Sequence, residues 1–66
     1  MILVKKIREE VGISQAELAR LSGVKQQNIS KIESGENRNP GIETLNALAK
    51  AMGRSVMDLY RPEAAN

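Results

Sequence analysis

The sequence predicts an all-α domain, and three features of the 66-residue chain support this prediction. Apolar residues recur every three or four positions, which is the period of an amphipathic helix. Glycines follow these periodic segments at positions where helices commonly end. No segment alternates apolar and polar residues as a half-buried strand does. At this length we expect one domain, residues 1–66, that buries only about 60% of its unfolded surface.

The first helix is predicted over residues 2–11. At 100° per residue, four apolar residues fall within about 100° of arc and form one stripe along this helix. They are Leu3, Val4, Ile7 and Val11. Gly12 is well placed to end the helix in the left-handed conformation.

Residues 15–34 are predicted to form two short amphipathic helices joined by a tight turn at Gly23. Ser14 and Glu17 have the S-x-x-E spacing of a capping box, which marks the start of the second helix. The third helix is predicted over Gln26–Ser34. The inward-facing residues of this segment are Leu18, Ala19, Val24, Ile29 and Ile32. Two helices at this spacing are typical of a helix-turn-helix.

The third predicted helix has an apolar back and a polar front that lacks carboxylates. The side chains of this front are amides, hydroxyls and one amine: Gln26, Gln27, Ser30, Lys31 and Ser34. Such groups donate and accept hydrogen bonds at base edges in the major groove of duplex DNA. The alternative interpretation of the same residues is an ordinary solvated helix surface.

The turn-rich segment GENRNPG separates the third helix from a fourth, which is predicted to begin near Pro40 and to end at Gly53. Its apolar face consists of Ile42, Leu45, Leu48, Ala49 and Met52. Ser55 and Asp58 have a similar cap spacing and predict a short fifth helix from Val56 to Tyr60. Residues 61–66 are predicted to form a short flexible tail.

The composition excludes several classes of function. The chain has neither cysteine nor histidine, so it offers no disulfide, no cysteine nucleophile and no Ser-His-Asp triad. For the same reason we expect no metal site and no cofactor. The acidic residues are scattered, and no catalytic carboxylate pair is indicated, so an enzyme is not expected.

Charge and hydropathy narrow the choice of partner and compartment. Ten Lys and Arg against eight acidic residues give a net charge of +2, which permits polyanion binding without requiring it. Tyr60 is the only aromatic residue, whereas single-strand and RNA binders stack bases on several rings. No apolar run approaches the ~20 residues that span a bilayer. We expect a cytoplasmic protein with no membrane partner.

Four segments of the chain resemble the Cro and phage-repressor family of DNA-binding domains, also called the xenobiotic-response-element family. The segments are IREEVGISQAELA, the turn SGV, ISKIESGENRNP and ETLNALAKAMGRSVMDL, which together span nearly the whole chain. The resemblance implies a five-helix, lambda-repressor-like domain with a helix-turn-helix. It further implies binding to double-stranded DNA, usually as a symmetric dimer, and regulation of transcription.

The resemblance also implies roles for individual side chains. Base contacts are expected from Gln26, Gln27, Asn28, Ser30 and Lys31. Contacts to the DNA backbone are expected from Gln15, Lys25, Ser34, Asn37, Arg38 and Asn39. Gln15 is also expected to brace the first side chain of the third helix. Asn37 and Asn39 have an alternative role in shaping their loop, since Asn tolerates left-handed geometry.

Two further pairs of residues are predicted to hold the fold or the dimer together. Arg8 and Glu33 match a family pair that bridges the first and third helices, and both border the apolar stripes of their own helices. Opposite charges in those positions can pair across the core. Met57 and Tyr60 give the short last helix an apolar surplus, so we expect them at a dimer contact.

The leading hypothesis is a small transcriptional regulator that binds a palindromic operator as a homodimer. We expect a repressor, and activation stays open as the alternative. A phage Cro-like regulator, a restriction-modification controller and an antitoxin stay open as variants, the antitoxin ranking lower because little follows Leu59. The alternative from another class is a protein-interaction module that has lost DNA binding. No small-molecule effector is evident.

Overall fold

The computed structural model describes residues 2–60, which contain four α-helices followed by one short 3₁₀-helix. The α-helices are α1 (Val4–Val11), α2 (Gln15–Ser22), α3 (Gln26–Ser34) and α4 (Ile42–Ala51). The terminal 3₁₀-helix is Val56–Leu59. The prediction of an all-α fold with a helix-turn-helix is confirmed. The predicted flexible tail lies outside the described residues.

Gly23 forms the turn of the helix-turn-helix. Its φ of 78° lies in the left-handed region, which glycine adopts without a Cβ clash. The Gly23 N–H donates to the Ala19 carbonyl at 2.9 Å, and the Val24 N–H donates to Ser22 Oγ at 3.1 Å. These bonds satisfy the end of α2 and fix the direction in which the chain enters α3.

A single apolar core joins the helices of the described chain. Its buried members are Val4, Ile7, Leu18, Ile29, Ile32, Leu45, Leu48, Ala49, Met52 and Leu59. Helix α2 packs against both α3 and α4, while α1 packs against α3 and the 3₁₀-helix against α4. Since Ile29 and Ile32 bury the back of α3, the opposite side of that helix faces away from the core.

Two element boundaries differ from the prediction. The first helix begins at Val4 rather than Ile2, because Ile2 forms an isolated antiparallel bridge with Tyr60. The Leu3 N–H donates to the Leu59 carbonyl at 2.7 Å, which joins the segment before α1 to the 3₁₀-helix. The predicted fifth helix is a four-residue 3₁₀-helix, too short for an α-helical ladder, and Tyr60 is already extended.

Two residues assigned to apolar faces are exposed instead. Val11 is 40% exposed and Ile42 is 57% exposed. The helical period places them toward the core, but Val11 is the last residue of α1 and Ile42 the first residue of α4. Both therefore lie at helix ends, outside the part of each helix that packs against the core.

The predicted capping residues Ser14 and Asp58 accept the expected backbone hydrogen bonds, but Glu17 pairs with a different partner. Ser14 Oγ accepts from the Glu17 N–H at 3.0 Å, but the Glu17 carboxylate pairs with Arg20 rather than returning to Ser14. Asp58 Oδ2 accepts from the Ser55 N–H at 3.1 Å, which is the corresponding bond of the 3₁₀-helix. No helix within residues 2–60 is long and apolar enough to cross a membrane.

Leu18→Ala is expected to lower the free energy of unfolding by about 2–5 kcal/mol, because it leaves a cavity at a fully buried site. Leu21→Ala is the matched control in the same helix, since Leu21 is 48% exposed, and its effect should stay within about 0.5 kcal/mol. Urea unfolding followed by circular dichroism measures both. Equal effects of the two substitutions would contradict this description of the core.

Candidate nucleic-acid interface

The polar front of α3 is open to solvent. The side chains predicted to contact bases are all exposed: Gln26, Gln27, Asn28, Ser30 and Lys31. By contrast, Ile29 is fully buried and Ile32 is 5% exposed. No hydrogen bond to another described residue occupies the side chains of Gln26, Gln27 or Ser30. The donors and acceptors of these three side chains are therefore available to a partner, whereas Ser34 Oγ donates to the Lys31 carbonyl at 3.1 Å and accepts from the Glu36 N–H at 3.3 Å.

One carboxylate, that of Glu33, joins α1 to α3. Arg8 Nε donates to Glu33 Oε2 at 2.7 Å, and Arg8 Nη2 donates to Glu33 Oε1 at 3.1 Å, which is a two-pronged pairing. The third donor, Arg8 Nη1, reaches the Ile13 carbonyl at 2.8 Å. The two side chains are 12% and 4% exposed. The structure thus brings together the two residues that the sequence placed at the edges of their helices.

Gln15 adds α2 to the same carboxylate. Its Nε2 donates to Glu33 Oε1 at 2.8 Å, so Glu33 accepts three hydrogen bonds from two side chains. The resemblance implies that Gln15 braces Gln26, but the only side-chain hydrogen bond of Gln15 to another described residue is this one to Glu33. The sequence carried no separate signal for this bond, because it depends on the angle between α2 and α3.

The hydrogen bond to Glu33 raises the pKa of Arg8 above its ordinary value, and partial burial opposes this shift. The charges of Glu33 and Glu9 act in the same direction as the hydrogen bond. Arg8 therefore stays protonated near neutral pH in the folded domain.

The loop after α3 carries the remaining residues predicted to touch a DNA backbone. Ser34, Asn37, Arg38 and Asn39 are all exposed. Asn37 Oδ1 accepts from the Asn39 N–H at 3.1 Å, and the Asn37 N–H donates to the Lys31 carbonyl at 2.9 Å. Asn37 thus shapes the loop. Arg38 forms no ion pair with any carboxylate of residues 2–60.

Lys25 precedes α3 and is also exposed, in the capping position and without a side-chain acceptor. Lys25 and Arg38 therefore place a positive charge before and after the exposed front of α3. A duplex lying along this front would meet a cation near each end of the helix.

Met57 and Tyr60, the predicted dimer contacts, are 74% and 44% exposed. Tyr60 lines an open groove of about 460 Å³ together with Ile2 and Arg38, among others. The groove connects the bridged ends of the described chain to the loop that follows α3. Within residues 2–60, no group of three or more acidic side chains is arranged to hold a metal ion.

Residues 4–59 match the family model described as helix-turn-helix. The chain belongs to this helix-turn-helix family. The match extends from the first residue of α1 to the last residue of the 3₁₀-helix, so it covers the core and the exposed front of α3 together.

Two relatives of this helix-turn-helix chain have similar sequences. It is 44% identical over 57 residues to an uncharacterized HTH-type transcriptional regulator of Haemophilus influenzae, an alignment that covers 82% of this chain and 57% of that protein. It is 42% identical over 57 residues to the uncharacterized HTH-type transcriptional regulator y4dJ of Sinorhizobium fredii, with coverage of 86% and 73%. The chain therefore spans only part of each relative.

Arg8→Ala is expected to lower the free energy of unfolding by about 3–5 kcal/mol, because it leaves the carboxylate of Glu33 buried without its charge partner. Arg20→Ala removes the same side chain from an exposed pair with Glu17, and its effect should be no more than about 1 kcal/mol. Thermal and urea unfolding report both values. A small effect of Arg8→Ala, similar to that of Arg20→Ala, would show that the pair does not hold α1 to α3.

Proposed function

We propose that this helix-turn-helix domain binds double-stranded DNA in a sequence-specific manner and regulates transcription as a repressor. The observation that carries the proposal is the exposed front of α3, which has free amide and hydroxyl groups and no carboxylate. The names of the two relatives, both HTH-type transcriptional regulators, support the same conclusion.

The front of α3 suits the major groove in size and chemistry. An α-helix with its side chains is about 10–12 Å in diameter, and the major groove of B-form DNA is roughly 12 Å wide. Gln26 and Gln27 each carry a donor and an acceptor, the pattern that pairs with adenine N7 and N6. Ser30 and Lys31 follow on the same front, and Asn28 borders it. We assign base contacts to these five side chains.

Contacts to phosphates hold the domain in register on the duplex. Lys25 and Arg38 supply the charges at the two ends of α3, and the guanidinium of Arg38 can hold two phosphate oxygens at once. Uncharged contacts come from Gln15, Ser34, Asn37 and Asn39. Because the phosphate contacts release counterions, affinity falls steeply as the salt concentration rises.

A homodimer binding a palindromic operator completes the proposal. Two copies related by a twofold axis place their α3 helices in successive major grooves, about 34 Å apart. Met57 and Tyr60 supply exposed apolar surface for the contact between the copies. Occupancy of such an operator represses transcription by blocking the polymerase. Regulators of phages and of restriction-modification systems, and antitoxins, would use this same surface of α3.

A protein-interaction module that had lost DNA binding would carry acidic or apolar side chains on the front of α3. The exposed front instead combines amides, hydroxyls and a lysine. No observation on the described residues favours that alternative.

Selection of bound sequences from a random pool of duplexes tests the proposal directly. We expect a pseudo-palindromic consensus with half-sites one helical turn apart. On the selected duplex, Gln27→Ala should weaken binding by about 1–3 kcal/mol while binding to random duplex changes little, because only the base contact is lost. Competition binding at fixed salt concentration gives both affinities.

Asn46→Ala is the matched control, since Asn46 is also exposed but lies on α4. It should leave both affinities unchanged. An unselective pool, or equal effects of Gln27→Ala and Asn46→Ala, would overturn sequence-specific recognition by α3.

A further inference from the structure

A notch between α1, α2 and α3 has a lining that the proposed DNA contacts do not fully explain. Its volume is about 280 Å³, and its lining residues are Lys5, Arg8, Gln15, Ser30, Glu33 and Ser34. Gln15, Ser30 and Ser34 belong to the surface that we propose faces DNA. Lys5 comes from α1, which contributes no other residue to that surface. Lys5 is therefore the exposed residue of this lining that has no role in the proposed DNA contacts.

At the floor of the notch, the negative charge of Glu33 is balanced by the positive charge of Arg8. Glu33 would repel an anion, but its two oxygens accept three hydrogen bonds from Arg8 and Gln15, and its charge is matched by that of Arg8. Lys5 is exposed and forms no ion pair with any carboxylate of residues 2–60. The notch as a whole thus carries one uncompensated positive charge.

Two further features favour an anion in this place. Gln15 is the first residue of α2, so the positive end of that helix dipole lies at the notch. The exposed Ser34, to which we assign a contact with the DNA backbone, also lines the notch. An ammonium, a helix start and a residue already facing the DNA backbone together suit a phosphate oxygen.

The geometry of α1 distinguishes Lys5 from its neighbour Lys6. At 100° per residue, Lys5 lies roughly 60° from Arg8 around the helix, whereas Lys6 lies roughly 160° away. Since Arg8 points to Glu33 of α3, Lys5 stands on the side of α1 that borders α3, and Lys6 stands on the far side. Only Lys5 lines the notch.

We propose that the notch is a binding site for one phosphodiester of the duplex and that Lys5 supplies its charge. The proposal rests on the DNA-binding function proposed above and adds a phosphate contact from α1 to it. The neutralisation of Glu33 by Arg8 is what lets a phosphate approach. Arg8 accordingly has an electrostatic role in binding besides its structural one.

Lys5→Gln and Lys6→Gln form a matched pair, because both remove one positive charge from an exposed position on α1. For Lys5→Gln, we expect the slope of log Kobs against log salt concentration to become shallower by about 0.9, with affinity about eightfold lower at 0.1 M salt. Selected and random duplexes should be affected equally, since a phosphate contact carries no sequence information. Lys6→Gln should keep the wild-type slope, and Lys5→Arg should restore it.

The outcomes separate this inference from the proposed function. Wild-type binding with equal slopes for Lys5→Gln and Lys6→Gln would overturn the phosphate site and leave DNA binding intact. Failure of the wild-type domain to bind any duplex at low salt would overturn both. Melting temperatures of the variants should match the wild type, because neither lysine is buried.

Discussion

The carboxylate of Glu33 is the constraint on which the arrangement of the first three helices depends. The Glu33 side chain is 4% exposed, and a carboxylate so little exposed to water requires hydrogen-bond donors. Those donors come from Arg8 on α1 and Gln15 at the start of α2. A shift of α1 would leave the Glu33 charge without its partner, and a shift of α2 would remove the hydrogen bond from Gln15, so both contacts restrain the three helices relative to one another.

This arrangement separates the residues that hold α3 from those that α3 presents. Ile29 and Ile32 attach its back to the core, and Glu33 attaches one edge. On the front, Gln26, Gln27 and Ser30 are exposed, and their side chains form no hydrogen bond to another described residue. A domain built in this way can change its front residues, and with them the partner that we propose it recognises, without losing its fold.

The sequence predicted the helices well because their signals are local. Helical periodicity located the core residues Leu18, Ile29 and Leu45, and the Ser14 cap marked the start of α2. The errors arose where a distant partner decides the local structure. Ile2 leaves the first helix because it pairs with Tyr60, 58 positions along the chain, and no local pattern encodes that contact.

The residues of the candidate site also divide into those that the local sequence pattern predicts and those that depend on how the helices pack. The exposure of Gln26, Gln27 and Ser30 follows from the helical periodicity of α3 alone. The pairing of Arg8 with Glu33 was predictable because both border apolar stripes. The bond from Gln15 to Glu33, and the presence of Lys5 in the same notch, depend on the angles between helices and became visible only in three dimensions.

The central claim is that the front of α3, held by Glu33, is the surface that enters duplex DNA. Titration of isotope-labelled protein with a short duplex, followed by amide chemical shifts, tests it residue by residue. We expect the largest shifts in residues 25–31 and 34–39, with little change along the exposed side of α4. Shifts confined to α4 or to the region of Met57, with none in α3, would contradict it.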